Sequence, residues 1–163
     1  MTAEPSSFKL LFVCMGNICR SPTADSVMRH LVQRSGLHER IIIDSAGTGG
    51  WHAGNGADHR MRKHAATRGY ALDHVARQVR ETDFDEFDLI LIMDQQNRRE
   101  IRPFNAAGDK MHKVKLFCEF AHDREETEVP DPYYGGAQGF EHVLDIVENG
   151  CAHLLQHIQK QLP

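Results

Sequence analysis

The 163-residue chain has few cysteines, a single tryptophan, no surplus of positive charge and no long apolar run. Its four cysteines, Cys14, Cys19, Cys118 and Cys151, are too few for a disulfide scaffold. Nothing suggests export, so a reducing cytoplasm is the expected setting. The formal net charge of −4 gives no footprint for nucleic acid, which asks for a clearly basic domain, but leaves room for a local basic pocket around an anion. No apolar segment approaches the ~20 residues that cross a bilayer, so no membrane insertion is expected. The opening "MTAEPSSFK" lacks the basic start and apolar stretch of a secretory signal. Internal repeats, low-complexity tracts and linkers are absent as well. What remains, at 40% hydrophobic and 26% charged, is one globular domain over residues 1–163, large enough for a real core, with residues 1–7 expected to be flexible.

Short apolar runs occur at Lys9–Val13, Ile41–Ile43 and Leu89–Met93. Runs apolar at successive positions suit strands buried on both faces of a parallel sheet. "KVKLF" at Lys113–Phe117 alternates, as an edge strand with one wetter face would. Between the runs lie helical patterns. From Pro22 onward, Ala24, Val27, Met28, Leu31 and Val32 recur at three and four, and Gly36 closes the segment. Ala57–Arg68 is a second helix, ended by Gly69. The last segment keeps Phe140, Val143, Leu144, Val147, Cys151, Leu154, Leu155 and Ile158 on one face, with a bend conceivable at Gly150. Alternating strands and helices indicate an α/β layer fold with a mainly parallel sheet. Ligands of such folds bind beyond the carboxyl ends of the strands, and Cys14 sits at one of those ends.

The stretch "LFVCMGNICRSP", Leu11–Pro22, therefore carries the chemistry. Gly16 permits positive φ, Asn17 tolerates the left-handed region, and a tight loop can turn successive N–H groups toward one centre as an anion nest. The following helix adds its free N–H groups and positive end, and Pro22 suits a first helical turn. A cysteine thiol, ordinarily near pKa ~8.5, can fall below 7 at a helix N-terminus beside a cation. Arg20 is that cation, and its planar fork matches two phosphate oxygens. A thiolate and a phosphate-shaped cradle in one loop indicate nucleophilic attack on phosphorus. The nucleotide-binding P-loop is excluded, because this loop has no lysine before its helix.

"VCMGNICRSP" resembles the signature of the low-molecular-weight protein tyrosine phosphatases. The likeness continues through "DSAGT" (Asp44–Thr48), "HVARQ" (His74–Gln78), "FDLILIMDQQN" (Phe87–Asn97) and "DPYYG" (Asp131–Gly135), in the family's order over nearly the whole chain. The resemblance implies a single three-layer α/β domain with a central four-stranded parallel sheet, order 2-1-3-4, flanked by helices. It implies hydrolysis of phosphotyrosine in proteins through a phosphocysteine, with Cys14 as nucleophile. Arg20 and the loop Met15, Gly16, Asn17, Ile18, Cys19 and Ser21 would hold the phosphate, with Ser21 bonding the sulfur. Trp51, Tyr133 and Tyr134 would wall the pocket, and Asn17, Ser45 and His74 would support the loop. No periodicity identifies the general acid among 23 acidic residues. "VPDPYYGG" is a candidate because two prolines hold Asp131 in a defined loop, and the family's acid falls on Asp131. Asp94 lies in a family block without an evident role. Partners would be tyrosine-phosphorylated proteins, a tyrosine kinase being one option, with inorganic phosphate as product.

No cofactor or metal is expected. His153 and His157 lie four apart, as zinc ligands can, but no Glu or Cys completes a set. Three other readings have specific requirements. An arsenate reductase on this fold needs two relay cysteines near the middle of the chain, and residues 73–97 hold none. Phosphoarginine phosphatases of the family carry threonine where Ile18 stands here, and Ile18 favours a phenyl ring. A binding module without turnover would have lost Cys14, Arg20 or Asp131. The resemblance also places Cys19 where some members form a reversible disulfide with the nucleophile. Tyr133 and Tyr134 are further candidates for phosphorylation.

Overall fold

The computed structural model describes residues 7–133 and 135–163. Residues 1–6, within the segment expected to be flexible, and Tyr134 lie outside the described residues. Four parallel strands form the sheet: β1 (Phe8–Cys14), β2 (Ile41–Gly47), β3 (Leu89–Ile92) and β4 (Val114–Leu116), in the order β2-β1-β3-β4. The helices are α1 (Arg20–Arg34), α2 (His59–Thr67), α3 (Asp83–Glu86), α4 (Gln95–Ile101) and α5 (Ala137–Gln159), with three short 3-10 turns between α4 and α5. This is the expected three-layer domain, but α3, α4 and the turns were not legible as periodic segments because each is too short to repeat a pattern.

The central strand buries both faces. Leu10, Phe12 and Cys14 face a cluster completed by α1 and α5, whereas Leu11 and Val13 face a second cluster with Phe84, Phe87, Ile90, Ile92 and Ile101. That two-sided burial is why β1 reads as an unbroken apolar run. β2 extends through Gly47, four residues past its apolar run, because Asp44, Ser45 and Ala46 pair with Leu11, Phe12 and Val13. Asp44 and Ser45 turn out to belong to the network behind the site. Among the described residues β4 is an edge strand paired with β3, consistent with its alternation.

α1 begins at Arg20, two residues before Pro22, which fits the first turn because it needs no N–H there. Gly36 (φ 69°) and Gly69 (φ 88°) follow α1 and α2 in the left-handed conformation that helix exits favour. α5 runs continuously past Gly150. A Cβ on Gly150 would fall 2.4 Å from Cε1 of Phe117, so this glycine serves close packing of a ring against the helix. A third, smaller cluster joins Ile18 and Cys19 to Met61 and Ala65 of α2 and to Phe140 and Leu144 of α5. It seats the loop after β1 on the helical layer.

Candidate active site

The loop between Cys14 and Arg20 lies at the carboxyl end of β1. Its backbone is laced to neighbouring segments: Thr48 N–H donates to Cys14 O (2.9 Å), Gly49 N–H to Met15 O (2.9 Å) and Asp58 N–H to Ile18 O (2.8 Å). Asn17, fully buried, is the residue at positive φ (57°). Gly16 is not among the positive-φ positions, which corrects the expectation for it. What Gly16 provides is room: a Cβ there would stand 3.0 Å from Cδ2 of His52.

The side chains beneath the loop form a directed chain. The Arg77 backbone N–H can only donate, and it donates to Asn17 Oδ1 (3.0 Å), as does His74 Nε2 (2.6 Å). That fixes the amide orientation, so Asn17 Nδ2 donates to Ser21 Oγ (2.7 Å) and to Ser45 Oγ (3.2 Å). Ser21 Oγ then has its own proton to give, with Cys14 Sγ 3.0 Å away as the nearer acceptor and Ala46 O at 3.4 Å as the other. Ser45 also contacts the His74 ring at 3.2 Å. The support expected of Asn17, Ser45 and His74 is thus drawn together, and Arg77 joins it. The Arg77 guanidinium is itself held by Asp44 (3.0 Å) and the fully buried Asp83 (3.0 Å).

Arg20 is 2% exposed. Its Nη1 donates to Asp94 Oδ2 (2.6 Å) and to Val129 O (3.0 Å). Burial opposes its charge, but the Cys14 sulfur first and Asp94 next outweigh burial and push the guanidinium above its ordinary range. Asp94 thereby gains a role that sequence reasoning missed. Its Oδ1 accepts from Asn97 N–H (2.7 Å) to cap α4, and its second oxygen fixes the arginine. The signal was visible only as an Asp three residues before Asn at the end of an apolar run. Nothing local ties it to a residue 74 positions earlier.

Asp131 Oδ2 stands 3.6 Å from Arg20 Nη2, and its Oδ1 accepts from Tyr133 N–H (3.0 Å). A cavity of about 280 Å³ is lined by Cys14, Met15, Gly16, Ile18, Cys19, Arg20, Trp51, His52, Asp131 and Tyr133. Nucleophile candidate, cation, acid candidate and two of the three expected aromatic walls therefore share one cavity, and the third wall, Tyr134, falls outside the described residues. Trp51 is 65% exposed and so available to a ligand rather than part of the core. Asn17, Ser21, Ser45 and His74 lie behind this lining. His52 is a lining residue that sequence reasoning missed, because a histidine next to a tryptophan carries no motif.

Burial and then Asp58 push the Cys19 thiol up. Cys118 lies in a 3-10 turn, and burial raises its thiol to about 11. Cys151, fully buried, is raised further by the same cause. Neither has the ionisable, exposed thiol that a relay needs. Among the described residues, one group of three potential metal ligands comes together, Asp25, Asp44 and His74, with donor atoms within 4.8 Å of one another. Arg29, Arg77 and Asn17 hold those same groups. His153 stacks on His122 at 4.4 Å, and His157 bonds Gln161 (2.8 Å), so the helical pair is engaged elsewhere.

Cys14, the buried Arg20 and Asp131 share one cavity at the carboxyl end of β1, a grouping that fits the class of cysteine-dependent hydrolases of phosphate monoesters. Residues 9–163 match the family model described as low molecular weight phosphotyrosine protein phosphatase. The chain belongs to that family, whose relatives are named protein tyrosine phosphatases. A low molecular weight protein-tyrosine-phosphatase of Streptomyces coelicolor is 42% identical over 158 residues, covering 96% of each chain. A crystal structure of a protein tyrosine phosphatase from Entamoeba histolytica, with Hepes in its active site, superposes with a TM-score of 0.91 at 44% identity, covering 95% of this chain and 99% of that one. A Drosophila arginine phosphatase is similar at a TM-score of 0.85 and 31% identity, covering 93% and 98%. No helix among the described residues is long and apolar enough to cross a membrane.

Proposed function

We propose that the chain hydrolyses phosphotyrosine in proteins in two steps through a phosphocysteine. The Cys14 thiolate attacks phosphorus, forming the S–P bond as the P–O bond to tyrosine breaks, and Asp131 gives its proton to the departing phenolate. Water then attacks phosphorus, the S–P bond breaks back to thiolate, and Asp131 takes the proton from that water. Inorganic phosphate leaves. The two fork nitrogens of Arg20 and the N–H groups of Met15–Arg20 hold the three equatorial oxygens, where charge is spread in the transition state. The Ser21 hydroxyl, directed at Sγ by the Asn17 chain, stabilises sulfur as the leaving group of the second step.

The observation that carries this reading is the shared cavity: Cys14, Arg20 and Asp131 line one space, with Asp131 3.6 Å from the arginine that would hold the phosphate. Rapid quenching with an aryl phosphate, followed by peptide mass analysis, tests it. A phosphorylated peptide containing Cys14 is expected, and with dinitrophenyl phosphate, whose leaving group departs without a proton, it should accumulate in Asp131→Asn because the second step loses its base. Absence of that peptide in both proteins, or normal turnover by Cys14→Ser, overturns the mechanism.

A phosphoarginine substrate is the second reading, supported by the similarity to the Drosophila arginine phosphatase. Ile18 in the cavity lining favours a phenyl ring over a guanidinium, so kcat/KM should be higher for phosphotyrosine peptides than for phosphoarginine peptides. The site acts in the cytoplasm on tyrosine-phosphorylated proteins, with a tyrosine kinase as one option, and Cys19 is the partner for reversible oxidation of Cys14. Recovery of Cys19→Ser from peroxide as full as that of the parent would remove the last assignment.

A further inference from the structure

α2 contributes no side chain to the cavity lining, yet its first turn touches both halves of the site. Asp58, its N-cap, donates its N–H to Ile18 O in the phosphate loop (2.8 Å). Two residues on, Arg60 Nη2 donates to the carbonyl of Tyr133 in the acid loop (3.0 Å). The guanidinium carbon of Arg60 also lies 5.3 Å from the Tyr133 ring centre and 5.0 Å from that of Phe140. Asp58 aims this fork, accepting Arg60 Nε at Oδ1 (3.2 Å) and Nη2 at Oδ2 (3.0 Å). Tyr133, gripped at both carbonyl and ring, donates its own N–H to Asp131 Oδ1 (3.0 Å). The remaining carboxylate oxygen, Oδ2, is the one that faces Arg20.

We infer that Arg60, aimed by Asp58, is the positioning residue for Asp131. Through Tyr133 it occupies Oδ1 and sets Oδ2 at the distance from the phosphate loop at which it can protonate the leaving oxygen. This rests on Asp131 being the general acid, as proposed above. The geometry suits arginine specifically. One planar group bonds a carboxylate, bonds a carbonyl and lies against two rings, which a lysine ammonium cannot do at once. A charged, bidentate anchor also explains how an exposed loop keeps a carboxyl in place to within the ~1 Å that proton transfer demands.

The test is kcat/KM on aryl phosphates whose leaving groups range from an acidic dinitrophenol to phenol itself. Dinitrophenolate leaves without a proton, whereas phenolate needs the acid. Arg60→Met should lose about 10-fold on phenyl phosphate and less than about 2-fold on dinitrophenyl phosphate, with inhibition by inorganic phosphate unchanged. Arg60→Lys should show most of the same pattern, and it carries the test if the methionine variant folds poorly. In an Asp131→Asn background, Arg60→Met should add no further loss, because the group it positions is gone. A loss equal on all substrates, no loss at all, or a loss undiminished in the Asp131→Asn background overturns the inference and leaves the proposed mechanism standing. If Asp131→Asn itself shows no dependence on the leaving group, the acid is misassigned and the inference falls with it.

Discussion

The phosphate loop and the acid loop face each other across one cavity but are built in opposite ways. In the first, Cys14, Asn17, Arg20 and Ser21 are all buried, and each of these side chains has a hydrogen-bond partner. In the second, the Asp131 side chain is 33% exposed and its local hold is a bond from Tyr133, two residues away. Interior bonding holds these side chains in place, which is what the proposed stabilisation of a transferring phosphoryl group requires. In the proposed mechanism the acid must approach a leaving group whose size varies with the substrate, and Asp131 has the exposure for that approach. The proposed mechanism thereby makes binding and proton transfer separable.

The largest test of that separation is Cys14→Ser, for which kcat should fall on the order of 10⁵-fold while inorganic phosphate still binds, as measured by calorimetry. Loss of phosphate binding would mean that the cradle depends on its sulfur. Next, Asp131→Asn should lower kcat/KM on phenyl phosphate about 10²–10⁴-fold with phosphate affinity unchanged. An equal loss of affinity would erase the distinction between the two loops. Asp94→Ala reaches the cradle from behind. It leaves the buried Arg20 without its carboxylate and should destabilise the fold by about 3 kcal/mol in denaturant titration, while weakening phosphate binding. If stability falls but phosphate affinity does not, Arg20 is held well enough by Val129 O alone. Smallest, Gly150→Ala lies outside both loops. It should cost about 1–3 kcal/mol by pressing on Phe117, despite alanine's better helix propensity, and leave kcat/KM of the folded enzyme as it was.

The difference between the loops also governs what could be read in advance. The cradle is nearly contiguous: one strand end, one loop and one helix start lie within Leu11–Pro22, so its chemistry is local and its residues announce each other. Asp131 required the family resemblance, because an aspartate between prolines reads equally as a turn. Asp94, His52 and Arg60 were not assigned roles at all. Arg20 meets Asp94 across 74 positions and Arg60 meets Tyr133 across 73, and no periodicity or capping signal reports such contacts. Gly16 shows the reverse error: the conformational reason offered for it belongs to Asn17, and its own reason is the ring of His52.

The sequence by itself determined the layer fold, the strand that ends on Cys14 and the cation that follows it, because apolar periodicity and turn chemistry act between near neighbours. Only the tertiary structure decided which carboxylate braces Arg20, which way the Asn17 amide points and that Arg60 reaches the Tyr133 carbonyl. Those are hydrogen bonds between segments far apart in the chain, and their partners become neighbours only when the sheet and the helical layers pack.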